Sequence, residues 1–136
     1  MSIKMPILIR YQNNNHGSFN SFKEIKNYDK VDYIYCGFNQ LTSLPELPNS
    51  LQYLICYNNQ LTSLPELPNS VISIYCRNNR LTSLPKLPNS LQYLICYNNK
   101  LTELPELPNS LKYFACSDNK FIEKRNHKYL NKIIYL

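Results

Sequence analysis

A chain of 136 residues with a formal charge of +6 has room for one ordinary domain. Its moderate basicity permits an anionic partner without demanding one, because such charge is also ordinary solubilising surface. No apolar run approaches the roughly 18 residues of a membrane-spanning helix, the opening run Met5–Ile9 is too short for a signal-peptide core, and no N-x-S/T sequon occurs.

Five cysteines make an odd number for a disulfide framework, so we expect an intracellular, cytoplasmic protein with reduced thiols. The first thirty residues read as an N-terminal cap. Pro6–Tyr11 has the composition of a strand, and Ser21-Phe22-Lys23-Glu24 is a capping-box signature. It predicts a short helix with Phe22, Ile25 and Tyr28 on its apolar side.

From residue 31 the sequence repeats itself. Leu41–Gln60, Leu61–Arg80, Leu81–Lys100 and Leu101–Lys120 are four consecutive twenty-residue units, each opening LT[SE]LP[EK]LPNS. Val31–Gln40 (VDYIYCGFNQ) is a preceding half-unit that matches LQYLICYNNQ and supplies one more strand. Periods of this length mark solenoids, in which a unit is stable only when stacked on its neighbours.

Within one unit, Tyr53–Ile55 is the predicted strand, with Leu51, Leu54 and Cys56 turned inward. Asn59 turns the chain, and its amide can bond backbone groups that the turn would otherwise bury unpaired. Leu61, Leu64 and Leu67 complete the interior. The return leg carries two prolines per unit, such as Pro45 and Pro48, which excludes a long helix and favours an extended, polyproline-like path.

Residues 121–136 change character again. Ile122, Tyr129, Leu130, Ile133 and Leu136 share one face at helical spacing, and Lys124, Arg125, Lys128 and Lys132 outnumber Glu123. We read this tail as a basic amphipathic cap, with a membrane-surface or self-association role as the alternative. The expected organisation is a single domain: cap 1–30, repeats 31–120, helical cap 121–136.

The motif L-x-x-L-x-C-x-x-N-x-L at Leu51, Leu54, Cys56, Asn59 and Leu61, joined to L-P-x-L-P, resembles the short LPX-type leucine-rich repeats of bacterial type III effectors. It is also similar to the repeats of giant-virus (mimivirus-like) leucine-rich repeat proteins, where the cysteine and the Asn-rich composition fit as well. The resemblance covers about residues 31–121. It implies a leucine-rich repeat solenoid: a right-handed coil with a concave parallel sheet of short strands that binds other proteins, in a virus or parasite acting within its host's cytoplasm. The ubiquitin-ligase domain that some bacterial relatives append has no counterpart here, so its activity is not carried over.

Cys36, Cys56, Cys76, Cys96 and Cys116 recur every twenty residues. In a parallel ladder they would form a single file at about 4.8 Å, which does not converge on one ion at the ~2.3 Å of a zinc–thiolate bond. The chain has no C-x-x-C, and neither His16 nor His127 lies in the array. We expect packing, with no catalytic residues, no metal and no cofactor. The Glu46, Glu66 and Glu106 row, broken by Lys86, reads as solvated convex surface.

Alternation assigns three rows to the concave face. They are Tyr33, Tyr53, Ser73, Tyr93, Tyr113; then Tyr35, Ile55, Tyr75, Ile95, Ala115; then Gly37, Tyr57, Arg77, Tyr97, Ser117. Eight of the twelve tyrosines fall there, which marks a recognition surface more than a scattering of exposed rings would. The competing reading is that tyrosine ladders only support the strands.

Unit two carries VISIYCRNN in place of LQYLICYNN, so Ser73 and Arg77 interrupt the tyrosines and predict a pocket or a charged spot. The residue after each Asn drifts from Gln40 and Gln60 to Arg80, Lys100 and Lys120, making one edge basic. The expected function is non-catalytic recognition of a protein, of unspecified identity, through this face. Homo-oligomeric assembly is the first alternative, and nucleic-acid binding through tyrosines and the basic edge is the second.

Overall fold

A computed structural model of the chain describes residues 4–121. Seven strands, β1 (Ile7–Tyr11), β2 (His16–Phe19), β3 (Val31–Tyr35), β4 (Tyr53–Ile55), β5 (Ser73–Tyr75), β6 (Tyr93–Ile95) and β7 (Tyr113–Ala115), form one sheet in the order β2-β1-β3-β4-β5-β6-β7. From β3 onward every pairing is parallel, and each step in register is twenty residues, Leu54 facing Ile74 and Ile74 facing Leu94. The result is the expected solenoid, with one short strand per coil and a return leg that forms no helix among the described residues.

The interior follows the repeat. Leu51, Leu54, Cys56 and Leu61 are fully buried, as are their counterparts Val71, Ile74, Cys76 and Leu81. Burial weakens at the last coil, where Leu111 and Cys116 pack only partly against the core. Leu47, Leu67, Leu87 and Leu107 close the core from the return leg.

Two side-chain ladders hold successive coils together. Asn59 Nδ2 donates to the Cys36 carbonyl (2.9 Å) and the Cys56 carbonyl (3.0 Å), while its Oδ1 accepts from the Leu41 N–H at 2.9 Å. Asn79, Asn99 and Asn119 repeat the pattern one coil further each time. Asn39 opens the row, and its buried Oδ1 has no protein partner among the described residues. It would accept from a preceding coil, and the half-unit has none.

On the other side of each strand, Ser50, Ser70, Ser90 and Ser110 donate to the carbonyls of Val31, Leu51, Val71 and Leu91 at 2.6–2.7 Å. The serine recurs in every unit as the last letter of LPNS. Our sequence reading gave it no role.

The N-terminal end differs from the expectation in kind. β1 is the predicted strand, but it runs antiparallel to both β2 and β3, so a hairpin covers the first coil. Ile7 and Ile9 are buried against the core. The strand His16–Phe19 (HGSF) was not expected, because it lacks apolar alternation; β1 imposes its conformation through pairing.

The capping box gives only a 3₁₀ turn, Phe22–Glu24. Ser21 Oγ and the Asn20 N–H both donate to the Glu24 carboxylate, so Ser21 spends its hydroxyl on Glu24 and not on the turn's N–H groups. Asn27, at φ 50°, then breaks the path before a second 3₁₀ turn, Tyr28–Lys30. Phe22 and Tyr28 still meet edge-on at 6.4 Å, and Ile25 is buried. The amphipathic cap read over residues 121–136 lies, apart from Phe121, outside the described residues.

All five cysteines are free, and four are buried. Burial pushes the Cys36 and Cys76 thiols up to about 12 and the half-buried Cys116 up to about 11, and raises Cys56 and Cys96 well above the ordinary value. The inner row is therefore a file of neutral thiols that act as small hydrophobes.

Three outcomes follow. Replacing Asn59 by Ala strands the N–H groups of Leu41 and Asn39, which both donate to its Oδ1, and should cost at least about 2 kcal/mol by urea denaturation, at ~1–3 kcal/mol per stranded group. The thiols should contribute no pH dependence below their ordinary pKa of about 8.5, because they are protonated in both states. Above it the unfolded chain ionises first, so the unfolding free energy should fall as the pH rises toward 12, by up to about 1.4 kcal/mol per pH unit and thiol, and the melting temperature with it. Cys116 should react with a thiol reagent before the other four.

Candidate interaction face

The registers place the outward residues in continuous rows. Tyr33, Tyr53, Ser73, Tyr93 and Tyr113 are neighbours across β3 to β7, and Tyr35, Ile55, Tyr75, Ile95 and Ala115 form the parallel row. Each residue of these rows keeps part of its surface, except Ser73, which is 3% exposed. Tyr93 is the most open of the strand tyrosines at 37%.

The face extends further than the repeats. β1 adds Arg10 opposite Tyr33 and Leu8 opposite Tyr35, and β2 adds His16 and Ser18 behind them. A cavity of about 510 Å³ opens at this end, lined by Leu8, Arg10, His16, Ser18 and Tyr33 with the backbone of Ile9 and Gly17. Sequence reasoning missed these residues because they lie outside the period. Alternation along Ile7–Tyr11 was the available signal.

Arg10 is tied in place by Asp32, with Nε donating to Oδ1 at 2.8 Å, and that bond raises its pKa. Its guanidinium lies 5.8 Å from the Tyr33 ring centroid and 5.6 Å from that of Tyr53. The two rings are tilted against each other at 6.3 Å. A cation already neutralised by a carboxylate thus caps the first tyrosine row.

The third row begins where the strands end, and the backbone ladder continues through it: the N–H of Asn58 donates to the Arg77 carbonyl, and that of Asn78 to the Tyr97 carbonyl, both at 3.1 Å. Gly37 heads this row in the half-unit. A Cβ there would sit 3.3 Å from the Tyr57 carbonyl and 3.4 Å from the Tyr35 ring, so glycine leaves room for that ring to lie over the turn. Tyr35 and Tyr57 pack edge-on at 5.9 Å with their hydroxyls 3.3 Å apart. That hydrogen bond and partial burial push Tyr35 up to about 12, and burial raises Tyr33. Both hydroxyls stay neutral hydrogen-bonding groups at physiological pH.

Arg77 is flanked on both sides, 4.4 Å from the Tyr57 ring centroid and 5.7 Å from that of Tyr97. Of the two features expected at the interruption in unit two, the charged spot is therefore present. Ser73 leaves no open pocket, because its small side chain sits below its larger neighbours and is covered by them. Arg80, Lys100 and Lys120 are all exposed along the edge that follows.

Every residue at the next position has a left-handed backbone: Phe38 (φ 57°), Asn58 (53°), Asn78 (55°), Asn98 (53°) and Asp118 (51°). Asn and Asp tolerate this region; Phe does not. Asn78 donates to Asn58 at 2.6 Å and Asn98 to Asn78 at 2.9 Å, forming a second, surface amide ladder. Phe38 is instead 49% exposed, with its ring edge-on to Tyr57 at 5.4 Å.

A parallel sheet of one strand per twenty-residue coil, an inner Leu/Cys core and an asparagine ladder at each turn define the class. The chain is a leucine-rich repeat protein. No family model matches the sequence, and no curated protein matches it. Among solved structures it is similar to YopM from Yersinia enterocolitica WA-314, with 42% identity and a TM-score of 0.68 over 68% of this chain. A second neighbour is YopM of Yersinia pestis, described as a leucine-rich effector protein, with 41% identity and a TM-score of 0.64 over 67% of this chain. The match spans only 21% and 27% of those two chains.

Replacing Phe38 by Asn should relieve roughly 1–2 kcal/mol of left-handed strain and extend the surface amide ladder by one bond, against loss of one aromatic contact worth about 0.5–1.5 kcal/mol. The expected outcome is a higher urea midpoint, corresponding to about 1 kcal/mol of added stability. A lower midpoint would show that the ring holds the first coil in place.

Proposed function

We propose that the chain is a non-catalytic recognition module that binds a protein partner through the concave sheet face. The observation that carries this reading is the composition of that face: a row of part-exposed Tyr broken only by the buried Ser73, a parallel row of part-exposed Tyr and Ile ending on Ala115, a third row carrying Tyr57, Arg77 and Tyr97, and a file of fully buried residues beneath them. Tyrosine offers large, fairly rigid area with a polar tip, which suits recognition. A parallel ladder with Asn and Ser clamps on both sides holds those rings in fixed positions, so little ordering is left to be done on binding. The Yersinia neighbours, one of them named an effector, agree with an interaction role for repeats of this kind.

The reading asks no chemistry of the chain. The thiols face the core with raised pKa values, while His16 lies on the opposite, outward side of the sheet. Among the described residues no helix is long and apolar enough to cross a membrane.

Tyr53→Ala combined with Tyr93→Ala should abolish capture of the partner that the wild-type chain retains, with an unchanged far-UV spectrum. Both side chains are outward and leave the core intact. Capture that survives the double substitution would place recognition elsewhere.

A further inference from the structure

Two side chains on this face occupy positions where the repeat itself prefers something else. Phe38 holds an exposed ring on a left-handed backbone where later coils have Asn or Asp. Arg77 stands where units one and three have tyrosine, and no carboxylate pairs with it among the described residues. The two belong to one stack, running from Phe38 to Tyr57 (5.4 Å), then Arg77 (4.4 Å), then Tyr97 (5.7 Å).

Resting on the recognition reading above, we infer that this stack is a two-part subsite for an extended segment of a protein partner. Phe38 takes a hydrophobic side chain and Arg77 takes a carboxylate. Rings on both sides leave the guanidinium's N–H edge as the part free to bond, and that edge matches the two oxygens of Asp or Glu. Arg10, the other arginine on the face, already has Asp32 there.

The spacing fixes the ligand pattern. Phe38 and Arg77 belong to coils two apart, about 10 Å at ~4.8 Å per strand, which an extended peptide covers in three residues at ~3.3 Å each. The segment therefore carries a hydrophobic residue three positions from an acidic one and lies across the strands, along the solenoid axis. Ile55, Tyr75 and Ile95 beside the stack suit the apolar neighbours of that acid. A nucleic acid fits less well, because its affinity comes from neutralising many phosphates and this part of the face offers one unpaired guanidinium.

The test is selection from a random peptide library against the whole chain, followed by anisotropy titration of the enriched peptide. The wild type should enrich an Asp or Glu three positions from a hydrophobic residue. Arg77→Tyr gives unit two the residue found in units one and three, so it should fold normally. It should erase the acidic preference and weaken the enriched peptide by about 10–100-fold, the loss expected of a charge-assisted bond. Changing the peptide's acid to its amide should produce the same loss, and Phe38→Asn should erase the hydrophobic preference alone.

Enriched peptides that lack an acid, yet still need Tyr53 and Tyr93, would overturn this subsite and leave the recognition reading standing. Peptides indifferent to both tyrosines would overturn the recognition reading itself, and no enrichment would overturn the subsite. Salt-sensitive binding of single-stranded oligothymidine, tighter than any peptide and lost in Arg77→Tyr, would reassign the stack to nucleic acid.

Discussion

Everything in this molecule hangs on one problem, the backbone groups left inside a tight turn that recurs every twenty residues. A strand of three residues cannot satisfy the carbonyls that follow it, and burying them unpaired would cost more than the strand contributes. One asparagine per coil resolves this by donating to the cysteine carbonyls of its own coil and the preceding one, and accepting an N–H from the preceding coil. The same bonds that satisfy the turn fix the distance and register between coils. The serine row repeats the solution at the start of each strand.

With the register so fixed, the two faces of each strand are free to specialise. The inner face is filled at fixed positions by leucine, isoleucine and cysteine, with the cysteines of the first four coils fully buried. The outer face carries no folding requirement beyond tolerance of a strand, so its residues vary. That variation falls in the half-unit, in unit two and in the last coil, where Ala115 and Ser117 stand in place of the Ile and Tyr of units one and three. An arginine held between tyrosines, with no carboxylate partner among the described residues, and a phenylalanine held on a left-handed backbone are departures that stacking of the coils does not call for. Strain and unpaired charge of this kind gather where a surface is used.

The solenoid, the inward leucines and cysteines and the turn asparagines were legible because each recurs in register, so a single physical assignment had to hold for every coil. What lay outside the period was not legible. HGSF has no strand signature of its own and becomes one only because β1 offers an unpaired edge. Ser21 and Glu24 spell a helix start, yet their side chains bond each other and the turn stops after three residues. The serine in LPNS recurs as faithfully as the asparagine, but a hydroxyl has many local partners and its reach to the previous coil shows only in three dimensions. The outward rows of the candidate face followed from alternation. The stacking of Arg77, the closure over Ser73 and the added width from Leu8, Arg10 and His16 needed the coordinates.

The central claim is that recognition is carried by the sheet face and not by the return leg or the ends. Selective isotope labelling of the tyrosine rings, followed by NMR during titration with a bound partner, addresses it ring by ring. Tyr53, Tyr75, Tyr93 and Tyr97 should shift together, while Tyr28, packed against Phe22 beneath the first coil, and Tyr11, bonded to the Lys26 carbonyl, should not move. Shifts confined to Tyr11 and Tyr28, with the four face rings unmoved at saturation, would contradict the account.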